Sequence, residues 1–140
     1  MKDKFNSPAS RGDKEFWLTP PAIYNTLNER FQFDFDPCPY PLPEGFNSLQ
    51  MEWGKSNYVN PPFRKIDGNG FGPTAWVRKG IEEFKKGKDV VLLIPTQSYV
   101  NLLLEAGATV ESAGRVKWIS GKNGSECKSP SPISCFILKH

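Results

Sequence analysis

The 140-residue chain is long enough for one domain with one hydrophobic core, which argues against a multidomain protein. Its 38% hydrophobic and 24% charged residues are typical of ordinary globular proteins, and its longest apolar run, Val90 to Pro95, is too short to span a bilayer. A net charge of +3 suits a polyanionic partner without demonstrating one. No apolar stretch follows the N-terminal lysines, so we expect a cytoplasmic protein without a signal peptide.

The cysteines and the histidine argue against two common kinds of site. The three cysteines (Cys38, Cys127 and Cys135) show no C-x-x-C spacing, and His140 is the only histidine. A zinc site usually takes four nitrogen or sulfur ligands at short spacings, and a Ser-His-Asp or Cys-His site needs a histidine inside the fold. We therefore predict reduced thiols, no metal ion and no hydrolase site of these types.

The N-terminal third predicts an arm followed by a helix. Residues 1–15 are polar and charged, which predicts a flexible arm, and residues 16–140 are expected to form a single domain. Thr19 is a good helix N-cap, and the two prolines after it suit a first helical turn. Every fourth residue is then apolar, which predicts a helix ending near Arg30: Ile23, Leu27 and Phe31.

Two short strands that end at prolines come next. Residues 31–36 alternate aromatic and polar side chains and stop at Pro37, and residues 57–60 stop at Pro61. Residues 64–72 carry three glycines and predict a surface loop of the kind that closes over ligands.

The second half of the chain predicts alternating helices and strands. Helices are expected over residues 73–86 and 97–105, and strands over residues 89–95, 115–119 and 133–138. The middle strand is a continuous apolar run, typical of a strand covered on both faces. This order predicts an α/β fold with a mostly parallel sheet, helices on both faces and an antiparallel C-terminal edge.

In such sheets ligands bind beyond the carboxyl ends of the strands. Two predicted strands end there in conspicuous residues, Asp36-Pro37-Cys38 and Asn60-Pro61-Pro62-Phe63. We expect both segments to face the same rim of the sheet.

The second segment suits the methylation of an exocyclic amine. The nitrogen lone pair of such an amine is delocalised into the ring, and two acceptors for its two N–H groups would free it. The Asn60 side-chain carbonyl and the Pro61 backbone carbonyl, held by the rigid link to Pro62, supply these acceptors. Phe63 offers a face on which an extruded base can stack, worth about 1–3 kcal/mol. The probability that this pattern occurs by chance somewhere in 140 residues is on the order of 10⁻³. The structural alternative is a proline-rich turn.

Asn-Pro-Pro-aromatic is the catalytic motif of amino-group methyltransferases that use S-adenosylmethionine. The surrounding sequence resembles one branch of them, the small phage-type DNA N6-adenine methyltransferases, over about residues 15 to 138. The matching segments, in order, are Trp17 to Pro20, Phe31 to Cys38, Leu49 with Trp53, Trp76 to Lys79, Val90 to Pro95, Gly114 to Trp118, and Ser131 to Leu138.

The resemblance implies a reduced Rossmann-like methyltransferase fold, with S-adenosylmethionine as cofactor and DNA as partner. It assigns catalysis to Asn60, Pro61, Pro62 and Phe63, and cofactor contacts to Thr19, Pro20, Asp36, Pro37 and Cys38. It also implies a phage-encoded protein acting in a bacterial cytoplasm. Helix capping explains Thr19 and Pro20 equally well, and a strand-ending turn is the alternative for Asp36 and Pro37.

The chain departs from the family pattern after Asp36. The usual glycine-rich continuation is replaced by Cys38-Pro39-Tyr40-Pro41, which cannot form a tight glycine loop, so the cofactor pocket must be abbreviated. A homo-oligomer or a partner subunit that completes the site is therefore an alternative to a self-sufficient chain.

Basic residues supply candidate nucleic-acid contacts. Arg64 and Lys65 directly follow the catalytic motif and are the better candidates for contacting phosphates. The lysines between residues 85 and 88 are better explained as a solvated helix face.

Two further alternatives remain open. The same tetrapeptide serves enzymes that methylate cytosine N4, RNA bases or protein glutamine, because each substrate presents a conjugated amine. The small size and the missing glycine loop also allow a non-catalytic nucleic-acid-binding relic of the same fold.

Overall fold

A computed structural model describes residues 17–61, 72–95, 99–114, 116–120, 126–128 and 133–140. The helices within these ranges are α1 (Pro21–Phe31), α2 (Pro73–Lys85) and α3 (Val100–Glu105). The strands are β1 (Trp17–Leu18), β2 (Ser56–Val59), β3 (Asp89–Pro95), β4 (Thr109–Gly114), β5 (Lys117–Ser120), β6 (Glu126–Lys128) and β7 (Ile133–Leu138). The predicted arm, residues 1–15, lies outside the described ranges. No helix in the described part of the chain is long and apolar enough to cross a membrane.

The main sheet is mixed, with strand order β2-β3-β7-β4. Strands β2 and β3 are parallel, whereas β7 pairs antiparallel with both β3 and β4. The prediction of a mostly parallel sheet is therefore wrong. Strand β7 is antiparallel as predicted, but it lies inside the sheet, and β4 takes the end of the strand order. An apolar run indicates that a strand is buried on both faces. A central antiparallel strand can be buried in the same way as a parallel one, so the run does not reveal the direction of its neighbours.

A second, three-stranded sheet has the order β1-β5-β6 and is antiparallel throughout. Strand β1 is two residues long, and it places Trp17 opposite Ser120 and Leu18 opposite Ile119. This pairing fixes the backbone just before Thr19.

Helices cover both faces of the main sheet, as predicted. On one face, Val77 of α2 and Leu103 of α3 pack in a cluster that includes Leu92 of β3. On the other face, Leu27 of α1 packs in a cluster that includes Leu93 of β3. Because neighbouring residues of a strand point to opposite faces, β3 contributes to both halves of the core, as β7 also does.

The predicted strand over residues 31–36 is reduced to one parallel bridge between Phe35 and Asn57. Helix α1 continues to Phe31, and Gln32 ends it in the left-handed conformation with φ of 51°. Too few residues then remain before Pro37 for a regular strand.

A buried carboxylate ties the segment before β2 to α2. Glu83 is 0% exposed, and its carboxylate accepts a 3.1 Å hydrogen bond from the backbone N–H of Trp53. The ammonium groups of Lys79 (3.0 Å), Lys86 (3.1 Å) and Lys88 surround the same carboxylate. Burial alone would raise the pKa of Glu83, but these hydrogen bonds outweigh it and lower the pKa to about 2. Lys86 and Lys88 thus serve the fold.

Candidate active site

The two segments singled out from the sequence leave the sheet at the same edge. Phe35 and Asn57 form a parallel bridge, with the N–H of Tyr58 donating to the carbonyl of Phe35 at 3.1 Å. Both stretches of chain therefore run in the same direction, and Asp36 and Asn60 follow them at the carboxyl end of β2. This is the edge at which open α/β sheets bind ligands.

Thr19 does not cap helix α1, which corrects the sequence-based expectation. The N-cap position is Pro20, and no side-chain hydrogen bond caps the helix there. The Pro20 carbonyl instead accepts from the backbone N–H groups of Ile23 and Tyr24, each at 3.1 Å.

The hydroxyl of Thr19 is turned towards the motif that follows β2. Its Oγ1 atom shares a short hydrogen bond with the phenolic oxygen of Tyr58. The same oxygen accepts a 3.5 Å hydrogen bond from Nδ2 of Asn60, which is 41 residues away in sequence. Strand β1 and the start of α1 thus place the Thr19 hydroxyl within hydrogen-bonding distance of the candidate catalytic amide.

Tyr58 is held by an aromatic cluster. It is 3% exposed, and its ring meets Tyr24 edge-on at a centroid distance of 5.1 Å and Phe33 at 5.3 Å. Burial raises the pKa of Tyr58 far above its usual value, and the nearby charge of Asp36 adds to this effect. The phenol therefore stays protonated and can donate or accept a hydrogen bond.

Asp36 carries the most unusual carboxyl group at this edge. It is exposed as a residue, yet surrounding protein dehydrates its carboxyl group and raises the pKa to about 6. The only opposing effect is the backbone N–H of Cys38, which donates to Oδ1 at 2.9 Å. Within the described residues no cation pairs with Asp36. A dehydrated carboxyl group without a counter-ion is typical of a functional site.

The two residues that follow Asp36 are packed into the protein. Pro37 is buried, and Cys38 packs against the cluster that contains Val77 and Leu92. Burial raises the pKa of the Cys38 thiol well above its usual value, with a contribution from the charge of Asp36. A protonated, packed thiol is a poor nucleophile.

The candidate catalytic motif is described in part. Asn60 is half-buried and Pro61 is buried at the end of β2. Pro62 and Phe63 of the motif, and the candidate phosphate contacts Arg64 and Lys65, lie outside the described residues. The structure thus brings together Thr19, Asp36 and the start of the motif.

Tyr58 is a residue of the candidate site that was not singled out from the sequence, where it is only part of the strand predicted over residues 57–60. It lies two residues before Asn60, and residues at that spacing in a strand share one face of the sheet. This alternation is the signal that could have found it. In the described ranges no cluster of three histidine, cysteine or acidic side chains is arranged to hold a metal ion.

Comparison with known protein families identifies the family of this chain. The family model described as DNA N-6-adenine-methyltransferase (Dam) matches residues 6–139. No curated protein and no solved structure matches the chain significantly. The family match covers the candidate site and both core clusters, and the chain therefore belongs to the DNA N-6-adenine-methyltransferase (Dam) family.

Proposed function

We propose that this protein transfers a methyl group from S-adenosylmethionine to the N6 amino group of adenine in DNA. The observation that carries the proposal is the placement of Asn60. It follows β2 at the carboxyl edge of the sheet, where open α/β sheets bind ligands, and its Nδ2 donates to Thr19 Oγ1. Membership in the family supports the choice of DNA adenine as substrate.

Asn60 and Pro61 activate the amine. The side-chain Oδ1 of Asn60 accepts one N–H of the adenine amino group, and the backbone carbonyl of Pro61 accepts the other. Two fixed acceptors pull the nitrogen towards tetrahedral geometry and localise its lone pair. They act where charge develops in the transition state, and a removed group of this kind typically costs about 10²–10³ in rate. The surplus proton leaves after methylation, when the nitrogen has become acidic.

The cofactor would lie beside Asp36 at the same edge. S-adenosylmethionine supplies an electrophilic methyl group when it is bound. The dehydrated carboxyl group of Asp36 lacks a cation among the described residues, so it fits a ligand that brings hydroxyl donors and a positive charge. We also assign Pro20, Pro37 and Cys38 to the cofactor-binding region, where they shape the backbone.

The remaining roles concern DNA. We propose that Pro62 keeps the Pro61 carbonyl rigid. Phe63 stacks on the extruded base, and this stacking offsets part of the free-energy cost of removing the base from the duplex. Arg64 and Lys65 are assigned to phosphate contacts. We place this chemistry in a cytoplasmic setting, where DNA and the cofactor are both present.

A nucleoside digest tests the proposal. The purified protein is incubated with mixed-sequence DNA and methyl-labelled S-adenosylmethionine, and the DNA is digested and separated. We expect label in N6-methyl-2′-deoxyadenosine, and its loss in Asn60→Ala. Asn25→Ala, an exposed asparagine of α1, is the matched control and should keep full activity.

Other outcomes contradict the proposal in distinct ways. Label in N4-methylcytosine, in RNA or in a protein band would identify a different conjugated amine as substrate. No label, together with no heat on titration of cofactor into the protein, would indicate a non-catalytic nucleic-acid-binding protein.

A further inference from the structure

We propose that Thr19 is a positioning residue that fixes the rotation of the Asn60 carboxamide, and that Tyr58 sets the direction of its hydrogen bond. This inference rests on the proposed function, because it concerns how the catalytic amide presents its oxygen to the base. It gives Thr19 a role on the base side of the site, distinct from the cofactor contact implied by family resemblance.

The carboxamide of Asn60 has two ends of nearly the same shape and opposite hydrogen-bonding character. A half-turn about its last side-chain bond would present NH₂ instead of the carbonyl oxygen to the adenine amino group, and two donors would then face each other. The 3.5 Å hydrogen bond from Nδ2 to Thr19 Oγ1 selects the rotation that leaves Oδ1 as the other end.

Thr19 alone cannot select this rotation, because a hydroxyl both donates and accepts. It carries one proton, which could equally be given to Oδ1 of a rotated Asn60. The contact with Tyr58 can run in either direction, and it removes this ambiguity when the phenolic oxygen is the acceptor, which is the direction that we assign to it. When the Thr19 proton is donated to the phenolic oxygen, Thr19 Oγ1 can only accept from Asn60, so the amide must offer Nδ2.

Tyr58 is suited to this task because it is rigid. Its ring is buried between Tyr24 and Phe33, so the phenolic oxygen has one fixed position. The hydrogen bonds therefore run in series from Asn60 to Thr19 to Tyr58, and the aromatic cluster anchors the last group.

Three substitutions separate positioning from cofactor binding. Thr19→Val keeps the shape and removes the hydroxyl, Thr19→Ser keeps the hydroxyl, and Tyr58→Phe removes only the phenolic oxygen. For each, kcat is measured at saturating DNA and cofactor, and the cofactor Kd is measured by calorimetry. Thr26→Val is the matched threonine control, because the Thr26 hydroxyl is exposed and donates only to Ala22 within α1.

We expect kcat to fall about tenfold or more in Thr19→Val and about fivefold in Tyr58→Phe, with the cofactor Kd within about twofold of the original. Thr19→Ser should recover about half of the original kcat, a rescue that a purely structural role would not require. Thermal melts establish that each variant is folded. If Thr19→Val fails to fold, Tyr58→Phe and Thr19→Ser still decide the outcome.

The inference is overturned if Thr19→Val raises the cofactor Kd while kcat at saturation is unchanged, since Thr19 would then be a cofactor contact. It is equally overturned if both Thr19→Val and Tyr58→Phe match the original protein. An inactive original protein would instead refute the proposed function, and this inference with it.

Discussion

The pKa values of two dehydrated carboxyl groups in this protein are shifted in opposite directions. Glu83 is fully buried, yet three lysines and a backbone N–H hold its pKa near 2. Asp36 is at the surface, yet its dehydrated carboxyl group has a pKa of about 6, and only the N–H of Cys38 opposes the shift. The depth of burial does not decide the charge state; the compensating groups do.

The difference indicates what each carboxylate is for. Glu83 has all its partners within the chain, and those partners join Trp53 to α2 and the start of β3. Asp36 lies at the edge of the sheet from which Asn60 also leaves, and among the described residues it has the N–H of Cys38 but no cation as a partner. The compensated charge of Glu83 belongs to the fold, whereas the uncompensated charge of Asp36 is the observation behind the ligand-binding role that we propose for it.

The largest expected effect comes from neutralising the compensated carboxylate. Glu83→Gln removes the one buried anion that Lys79, Lys86 and Lys88 share, while Lys86 and Lys88 keep their exposed partner Glu52. We expect a loss of about 3 kcal/mol in the free energy of unfolding. Urea denaturation measures this loss. Glu82→Gln, one position earlier and exposed, should change stability by less than about 0.5 kcal/mol. Equal effects of the two substitutions would contradict the role given to Glu83.

A smaller effect is expected from neutralising the uncompensated carboxylate. Asp36→Asn keeps an acceptor for the N–H of Cys38, so we expect the folded protein to be at least as stable at neutral pH. The cofactor Kd should rise about tenfold, because a charged acceptor is lost. Calorimetry measures this Kd.

Asp34→Asn is the matched control for Asp36→Asn. The Asp34 side chain accepts from the backbone N–H groups of Lys55 (3.3 Å) and Ser56 (3.0 Å), so its role is local and structural. It should leave the cofactor Kd unchanged. A rise in Kd for Asp34→Asn but not for Asp36→Asn would reverse our assignment of the two residues.

The smallest effect is the pH dependence, and the two carboxylates should differ in its sign. The pKa of Asp36 is raised in the folded state, so its contribution favours folding below about pH 4 and is lost as the pH rises through about 6. The pKa of Glu83 is lowered, so its contribution is present above about pH 4.5 and is lost as the pH falls towards about 2.

Cofactor binding should follow the ionised form of Asp36. We expect the Kd to rise severalfold as the pH is lowered from about 7.5 to about 5.5, and this dependence to disappear in Asp36→Asn. Titrations across this range check it. A variant that retains the full pH dependence would show that another group titrates.

Much of the secondary structure could be predicted because burial leaves a pattern in the sequence. The apolar run of β3 and that of β7 were predicted over the same residues that the structure assigns to them. Strand β4 was missed, since most of its residues are exposed and it carries no apolar alternation. The mostly antiparallel pairing of the main sheet was not predicted, because strand direction depends on which partner each strand meets.

The candidate site was predictable where chemistry is local. Asn60 and Asp36 were singled out from short motifs that end at prolines, and the structure places both at one edge. The contact between Thr19 and Asn60 was not predictable, because it depends on strand β1 and on the buried position of Tyr58. Helix capping competed for Thr19 in the sequence, and packing decided against it.

The most direct test of the account is the single-turnover rate of adenine methylation by Asn60→Ala at saturating cofactor. If the Asn60 carboxamide activates the amine, the rate should fall by about 10²–10³ while the cofactor Kd stays within about twofold. A rate close to that of the original protein would contradict the central claim that this amide holds the adenine amino group.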